Sequence, residues 1–339
     1  MAAKELAAMT ITEEFAARVR QEGQRERIMR YAPMLVLLAM ILFFAVACGN
    51  AFASVNNMVA ILNQLAIPLV IAIGLTFVIM IGGIDLSING TVGMSCAILG
   101  ALVLNNRMPN DLGVFGVLIA VGASMLVGLL IGLVHVYLRV PSFLVSFAFM
   151  YVCKGVGLLS YSGQPPTILD PVLVALPKVT LLGIPFITWI ALAVLLVCIF
   201  IQEYTAFGRY IYAVGTDETI LRAVGVSANK VKVMVFVLAG ICFGIAGVLW
   251  GIRLGMGEVM VGDGMMFPAQ AAVVVGGTSL SGGKGGVVNT IVGVLVMTVL
   301  ANGLLLMGVN PYIRTGIEGL IILTAVALTV ARGPKVISK

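Results

Sequence analysis

Long apolar runs alternate with short polar stretches along most of the chain. Eight of them approach or exceed the roughly 20 residues that a membrane-spanning helix needs; they begin near Tyr31, Met58, Gly113, Phe143, Phe186, Val231, Val287 and Tyr312. Two shorter apolar runs cover Thr91 to Leu104 and Pro268 to Val275. This pattern predicts an all-α, polytopic membrane protein of about ten transmembrane helices.

Two glycine pairs interrupt the apolar runs inside similar motifs. The first motif is Ile81-Gly-Gly-Ile-Asp-Leu-Ser87, and the second is Val275-Gly-Gly-Thr-Ser-Leu-Ser281, 194 residues later. Recurrence in corresponding places predicts two internally repeated halves with broken helices. The predicted breaks are at Gly82, Gly83, Gly276 and Gly277. Non-helical backbone at membrane depth is tolerated where it lines a cavity or packs within protein, so we expect both breaks to shift during transport.

The composition agrees with a membrane protein and offers no enzyme chemistry. Hydrophobic residues make up 61% of the 339 residues and charged residues only 10%, whereas soluble domains are roughly a quarter charged. The five cysteines lie singly in apolar runs, and His135 has no partner histidine. No catalytic constellation, metal-ligand spacing or Walker A motif is present. We therefore expect no enzyme activity, cofactor, metal site or nucleic-acid partner.

Basic residues indicate how the chain is oriented in the membrane. They precede the first span, follow the last one and occupy two loops, at Arg18, Arg20, Arg25, Arg27, Arg30, Arg139, Arg209, Arg222, Lys230, Lys232, Arg332, Lys335 and Lys339. The positive-inside rule then predicts that both termini are cytoplasmic. Residues 1–30 are expected to form an amphipathic segment on membrane lipid, residues 31–331 the transmembrane domain and residues 332–339 a cytoplasmic tail.

The loop at residues 203–231 is too long for a simple turn and contains residues that typically begin and end a helix. Thr216 or Asp217 can cap a short helix, Glu218 complements its N-terminal dipole, Arg222 lies near its end and Gly225 stops it. The predicted helix would lie parallel to the membrane. Its apolar residues exceed what a solvated turn needs, so part of its surface should insert into a groove of another protein; they are Ile220, Leu221, Ala223 and Val224.

Four motifs in this order resemble the permease subunits of bacterial ATP-binding cassette importers for ribose, xylose, galactose and similar monosaccharides. They are Gly82-Gly-Ile-Asp-Leu-Ser87, Phe207-Gly-Arg-Tyr-Ile-Tyr-Ala-Val-Gly215, Arg222-Ala-Val-Gly-Val226 and Val275-Gly-Gly-Thr-Ser-Leu-Ser-Gly-Gly283. The resemblance extends from about Ser54 to about Ala331. It implies a location in the bacterial inner membrane and a pathway formed by two copies, in a homodimer or heterodimer.

The resemblance also implies partner proteins. ATPase subunits would dock on the cytoplasmic loops, and an extracytoplasmic binding protein, periplasmic or lipid-anchored, would deliver the solute. The residues expected to couple to the ATPase are Gly208, Arg209, Gly215, Glu218, Arg222 and Gly225. One segment departs from the family. Relatives usually carry Glu-Leu-Asp-Ala-Ile-Ala-Ala where this chain reads Met266-Phe-Pro-Ala-Gln-Ala-Ala272, which we place near the outer face.

Candidate pathway residues are uncharged amides and the polar residues of the motifs. Amides suit a polyhydroxylated solute because they donate and accept without charge desolvation, although interhelical hydrogen bonding explains single amides equally well. Asp85, Ser87, Ser279 and Ser281 can cap the helices that restart after each break or contact solute. The predicted pathway residues are Asn63, Gln64, Asp85, Ser87, Gln270, Ser279 and Asn302.

The function expected from these features is ATP-driven import of a monosaccharide or a similar small polyhydroxylated solute, with ATP hydrolysed by a partner. An ion-coupled secondary transporter is one alternative, and its acid would be Asp85 or Glu318. A passive channel with a glycine-lined pore is another. A third is an importer of the same type for a non-sugar solute such as a nucleoside or a signalling molecule.

Overall fold

Apolar helices make up most of this computed structural model, which describes residues 31–161 and 163–330. The predicted N-terminal segment and C-terminal tail lie outside the described residues. The helices are α1 (Tyr31–Cys48), α2 (Asn50–Ala53), α3 (Val55–Met80), α4 (Ile88–Leu102), α5 (Val114–Tyr137), α6 (Ser142–Leu159), α7 (Pro171–Ala175), α8 (Phe186–Tyr204), α9 (Ala206–Thr216), α10 (Glu218–Ala223), α11 (Ala228–Leu254), α12 (Met266–Val275), α13 (Val287–Leu306) and α14 (Pro311–Val330). Short 3₁₀ turns cover Leu176–Lys178 and Val259–Gly262, and a hairpin joins β1 (Thr180–Leu181) to β2 (Ile184–Pro185) with Leu181 opposite Ile184.

Ten apolar helical segments are present in the described ranges, as the sequence predicts. Seven are long and apolar enough to cross a membrane: α1, α3, α5, α6, α8, α11 and α13. Helix α14 adds 20 residues, and α4 and the Val259–Val275 segment are shorter apolar elements. The all-α, polytopic prediction is therefore confirmed.

Helix α11 forms the centre of the bundle and packs against α3, α4 and α5. Small residues let the backbones approach closely, as is usual between membrane helices. A Cβ on Gly128 of α5 would overlap the Phe236 carbonyl of α11, and one on Gly247 of α11 would overlap the Val92 carbonyl of α4. These glycines are packing residues between helices.

Helices α3 and α12 end on the same side of the molecule. The carbonyl of Met80, the last residue of α3, accepts a hydrogen bond at 2.9 Å from the Gly283 N–H, seven residues after Gly276 closes α12. Helix α9 ends there as well, because Gly215 packs against the same Met80 carbonyl. The two glycine motifs thus have the same orientation, a parallel arrangement. We call this side the α9–α10 end.

Helix α12 begins inside the bundle, and the prediction that it opens near the outer face is wrong. The Met266 N–H donates to Asn89 Oδ1 at 3.1 Å. Asn89 lies one turn before Val92, which faces Gly247 of α11, seven residues before that helix ends. The preceding segment turns back into the bundle along α4 before α12 starts. The Met266 to Ala272 run, where two family acids are absent, therefore starts partway along the bundle, level with the first turn of α4.

Candidate functional site

The first glycine pair ends α3 with a left-handed residue. Gly82 has φ 75°, and the Gly83 N–H donates to the Val78 carbonyl at 2.9 Å. This six-to-one hydrogen bond is the Schellman arrangement, in which glycine avoids the steric cost of a positive φ. The break therefore begins at the end of a complete 26-residue helix.

After Gly82 the chain is non-helical until α4 begins at Ile88, and α6 supplies partners for part of its backbone. The Ile84 N–H donates to Ser142 Oγ at 3.0 Å, and the Leu86 N–H donates to Ser146 Oγ at 2.9 Å. Four residues separate the serines on α6, so both hydroxyls lie on one face. Two side chains thus replace the helical partners that the break removes.

We expect the double substitution Ser142→Ala, Ser146→Ala to destabilise the protein by leaving two N–H groups without partners, at about 1–3 kcal/mol each. The measurement is the apparent melting temperature of the purified protein in detergent. Ser160→Ala is the matched control, because that hydroxyl bonds only to the Gly157 carbonyl of its own helix. Equal melting temperatures for the double variant and the control would contradict the assignment.

The acid of the first motif is buried and folds back on its own backbone. Asp85 Oδ1 accepts a hydrogen bond from the Ser87 N–H at 2.7 Å, and both side chains are buried. This is an Asx turn. The prediction that Ser87 caps α4 through its side chain is wrong: Ser87 occupies the N-cap position, but its side chain makes no capping hydrogen bond. A solute contact by either residue stays a prediction.

The second glycine pair makes the same kind of helix end, one residue later in the motif. Here Gly277 has φ 99°, and the Thr278 N–H donates to the Val273 carbonyl at 3.2 Å. The left-handed residue is thus the second glycine of this pair, whereas Gly82 is the first of its pair. The helices also differ in length, with 10 residues in α12 and 26 in α3. Residues at equivalent positions of the two motifs therefore have different backbone conformations.

The helix after the second break is capped from another part of the chain. Gln202 Oε1, at the end of α8, accepts from the Val287 N–H at 2.7 Å, and Thr278 Oγ1 accepts from the Gly286 N–H at 3.3 Å. The prediction that Ser279 and Ser281 cap this helix is wrong. Ser279 Oγ instead accepts from the Ser281 N–H at 3.3 Å within the loop.

Both breaks meet the end of α9. A Cβ on Gly215 would overlap the Met80 carbonyl oxygen and would also clash with the Gly283 backbone. Gly282 in turn approaches the Gly82 nitrogen. Three glycine-containing segments from distant parts of the sequence are thus packed backbone to backbone. These contacts join the end of α9 to the end of α3 and to the loop that follows α12.

The predicted short helix between residues 216 and 225 is present as α10, and α9 precedes it. Asp217 Oδ1 accepts from the Thr219 N–H at 2.9 Å, which confirms one of the two expected caps. That backbone hydrogen bond lowers the pKa of the Asp217 carboxyl. The stabilising interaction is therefore present above the ordinary aspartate pKa and is lost as the pH falls through the lowered value. Gly225, with φ 74°, ends the helix as predicted.

The predicted coupling residues fall into two groups. Gly208 and Gly215 contact neighbouring backbone inside the protein, at Gln202 and Met80. Arg209 and Arg222 are exposed, while Glu218 forms an ion pair with Lys232 of α11. Of the apolar residues on α10, Leu221 is buried and anchors the helix. Ile220, Ala223 and Val224 are exposed, so a smaller apolar surface than predicted is open to a partner.

The predicted pathway amides have different surroundings. Asn63 accepts from a guanidinium nitrogen of Arg253 through its Oδ1 at 2.7 Å and through its carbonyl. The Arg253 guanidinium lies 5.6 Å from the centre of the Trp250 ring. Gln64 and Gln270 are half-buried, and Asn302 is buried on α13 with an unpaired Oδ1. Their contact with solute stays a prediction.

Several residues of the site carried no local signal in the sequence. Gln202, Ser142 and Ser146 act on backbone groups more than 50 positions away. Arg253 was overlooked although it is the one charged residue in the apolar stretch from Val233 to Leu254. A charge at that position is costly without a partner, and this cost could have identified it.

Comparison with known proteins supports a transport role. Residues 57–326 match the family described as branched-chain amino acid transport system, permease component. The ribose import permease of Escherichia coli is 32% identical over 307 residues, covering 88% of this chain and 93% of that protein. The ribose import permease of Bacillus subtilis is 32% identical over 323 residues, covering 92% and 95%.

The galactose/methyl galactoside import permease of Escherichia coli is 33% identical over 318 residues, covering 88% of this chain and 92% of that protein. No solved structure matches the chain. The match to the permease family, over residues 57–326, covers most of the described helices, from α3 into α14. The chain therefore belongs to this family of multi-pass transport permeases, among the permease subunits of bacterial ABC monosaccharide importers.

Proposed function

We propose that this chain is the membrane subunit of an ATP-driven importer for a monosaccharide or a similar small, neutral, polyhydroxylated solute. Two copies would form the pathway, two ATPase subunits would bind the α9–α10 end on the cytoplasmic side, and an extracytoplasmic binding protein would deliver the solute. The ribose and galactose permeases among the relatives support a sugar substrate.

The observation that carries this proposal is the connection from α10 to both glycine breaks. Helix α10 exposes Ile220 and Val224 by 51% and 66%, while Leu221 fixes the helix to the bundle. Helix α9 packs without a gap on Met80 and Gly283. An ATPase that pushes on α10 would therefore move the ends of α3 and α12 together. A secondary transporter or a passive channel has no use for such a linkage.

The rival ion-coupled mechanism requires an acid that is free to exchange an ion. Asp85 accepts a backbone hydrogen bond within its own turn, and Glu318 Oε1 lies 3.3 Å from Arg314 Nε on the same helix. Both candidate acids are thus already engaged. Uptake that is inhibited by vanadate and unaffected by ionophores, in vesicles containing the complete transporter, is the expected result.

The double substitution Ile220→Asp, Val224→Asp is expected to separate the ATPase from the permease. Charges on a surface that becomes buried against a partner must be desolvated, at a cost of several kcal/mol. Co-purification of the ATPase and vesicle uptake should both fall at least about tenfold. Leu182→Asp is the control, because Leu182 is 84% exposed but lies in the hairpin at the opposite end. Undiminished ATPase binding by the double variant would exclude α10 as the docking helix.

A further inference from the structure

An ion pair joins α6 to the segment that precedes α12. Lys154 Nζ lies 2.6 Å from Asp263 Oδ1, and their side chains are 22% and 44% exposed. Neither residue belongs to the coupling surface or to the glycine breaks. Their partial exposure needs an explanation because charges are rare on the surface of membrane-spanning helices.

The ion pair lies deep within the membrane-spanning part of the molecule. Gly262, next to Asp263, packs against the Asn89 carbonyl in the first turn of α4. Helix α4 then continues to Leu102, a distance of about 20 Å along the helix axis. On the other side, Met150 of α6, one turn before Lys154, packs against Gly90. Lys154 itself lies about 8 Å before the end of α6 at Leu159. The pair thus lies within the apolar length of α6 and beside the start of α4.

The backbone around Asp263 supports an aqueous surface. After the Val259–Gly262 turn the chain is irregular until α12 begins, and Gly264 has φ 81°. Lipid-exposed irregular backbone does not occur in the hydrocarbon region, although such backbone does line water-filled cavities. Asp263 and Gly264 are both exposed in the single chain. By this rule the segment faces water or another protein surface rather than lipid.

An exposed surface without charged residues is present on α8. On α8 the exposed residues Leu196, Val197 and Phe200 are all apolar, at 57–60% exposure. Around the ion pair, the exposed neighbours are Tyr151 at 59%, Met260 at 50% and Phe267 at 59%. We call the five residues Tyr151, Lys154, Met260, Asp263 and Phe267 the α6–α12 face.

We propose that the α6–α12 face lines the solute path and that Lys154 and Asp263 hydrogen-bond the hydroxyl groups of the passing solute. The ammonium supplies donors and the carboxylate supplies acceptors, so the pair can hold neighbouring hydroxyls. The two charges cancel, which favours a neutral polyhydroxylated solute over an ion. Phe267 and Tyr151 offer ring faces to the C–H side of a sugar. The choice of solute rests on the proposed function, and a second copy of the chain would enclose the path.

Water access tests the path without any knowledge of the solute. Phe267→Cys and Tyr151→Cys are made in a chain whose five native cysteines are replaced by alanine, and the complete transporter is treated in vesicles with a membrane-impermeant methanethiosulfonate. Leu196→Cys and Val197→Cys on α8 are the controls. The α6–α12 cysteines should react at least about tenfold faster, because the reactive thiolate forms in water and not in lipid. Labelling as slow as that of the α8 controls would overturn the proposal.

The role of the ion pair is tested by replacing both charges with apolar groups. Lys154→Met, Asp263→Leu preserves packing without leaving an unpaired charge, so a merely structural pair would tolerate it. We expect the double variant to assemble with the ATPase but to show an increase in the KM for sugar uptake of at least about tenfold. Uptake with an unchanged KM would overturn the contact with solute. Fast labelling of Phe267→Cys without import of any sugar would leave the aqueous path intact and refute the sugar assignment instead.

Discussion

Gly215→Val is expected to abolish uptake while the protein still reaches the membrane. The valine side chain would have to displace the Met80 carbonyl and the Gly283 backbone, and overpacking of this kind costs about 1–3 kcal/mol. The strain falls on the contact through which α9 meets both breaks. Transport of labelled sugar into vesicles should drop by at least about tenfold, and ATP hydrolysis should no longer respond to the sugar-loaded binding protein.

Gly122→Val is the matched control for that experiment. Gly122 lies in helix α5, and a Cβ there meets no atom within 4 Å. The control should retain expression and uptake. If Gly215→Val transported sugar as well as Gly122→Val, the connection between α9 and the breaks would not transmit the motion, and the proposed coupling would have to be abandoned.

Gln202→Leu is expected to have the second large effect. Gln202 Oε1 accepts from the Val287 N–H, and its Nε2 donates to Tyr212 Oη at 2.8 Å. Leucine fills the space but leaves a buried N–H without a partner, at a cost of about 1–3 kcal/mol. The start of α13 should loosen, so that the melting temperature falls by several degrees and uptake falls with it.

Two further variants test the other side chains in the hydrogen-bond network around Gln202. Tyr212 Oη donates to the Gly285 carbonyl at 2.9 Å, so Tyr212→Phe removes one link and should cause an intermediate loss. Burial, and then the negative charge of Glu203, raise the pKa of Tyr212, so its hydroxyl stays protonated and able to donate. Glu203 is exposed, and Glu203→Gln keeps an acceptor, so this variant should behave as the natural protein. Normal melting of Gln202→Leu would show that α13 does not need the cap.

Features decided by local chemistry were predictable from the sequence. The apolar runs predict the long helices because lipid and the protein interior both select apolar side chains. Asp217 and Gly225 were identifiable as the ends of α10 because a cap or a left-handed residue acts within one turn. The glycine breaks were located for the same reason, since few residues other than glycine adopt a positive φ without cost.

Features decided by distant contacts were not predictable. The left-handed glycine is the first of its pair at Gly82 and the second of its pair at Gly277. This difference depends on where each helix meets its neighbours, although the two motifs align position for position. The cap from Gln202 requires α8 and α13 to meet. The interior start of α12 was missed because a short turn that re-enters the bundle has no periodicity of its own. Lys154 and Asp263 are 109 positions apart, and only the fold pairs them.

Three glycine-containing segments meet at the α9–α10 end and hold the Met80 end of α3 in place. Helix α3 has 26 residues, with Pro68 inside it, so it is about 39 Å long. A tilt of about 5° about its Met80 end would swing its Val55 end by about 3 Å, the width of a water molecule, given that length. Under the proposed function, leverage of this kind would turn a small rearrangement beside the ATPase into a larger displacement at the opposite end of α3.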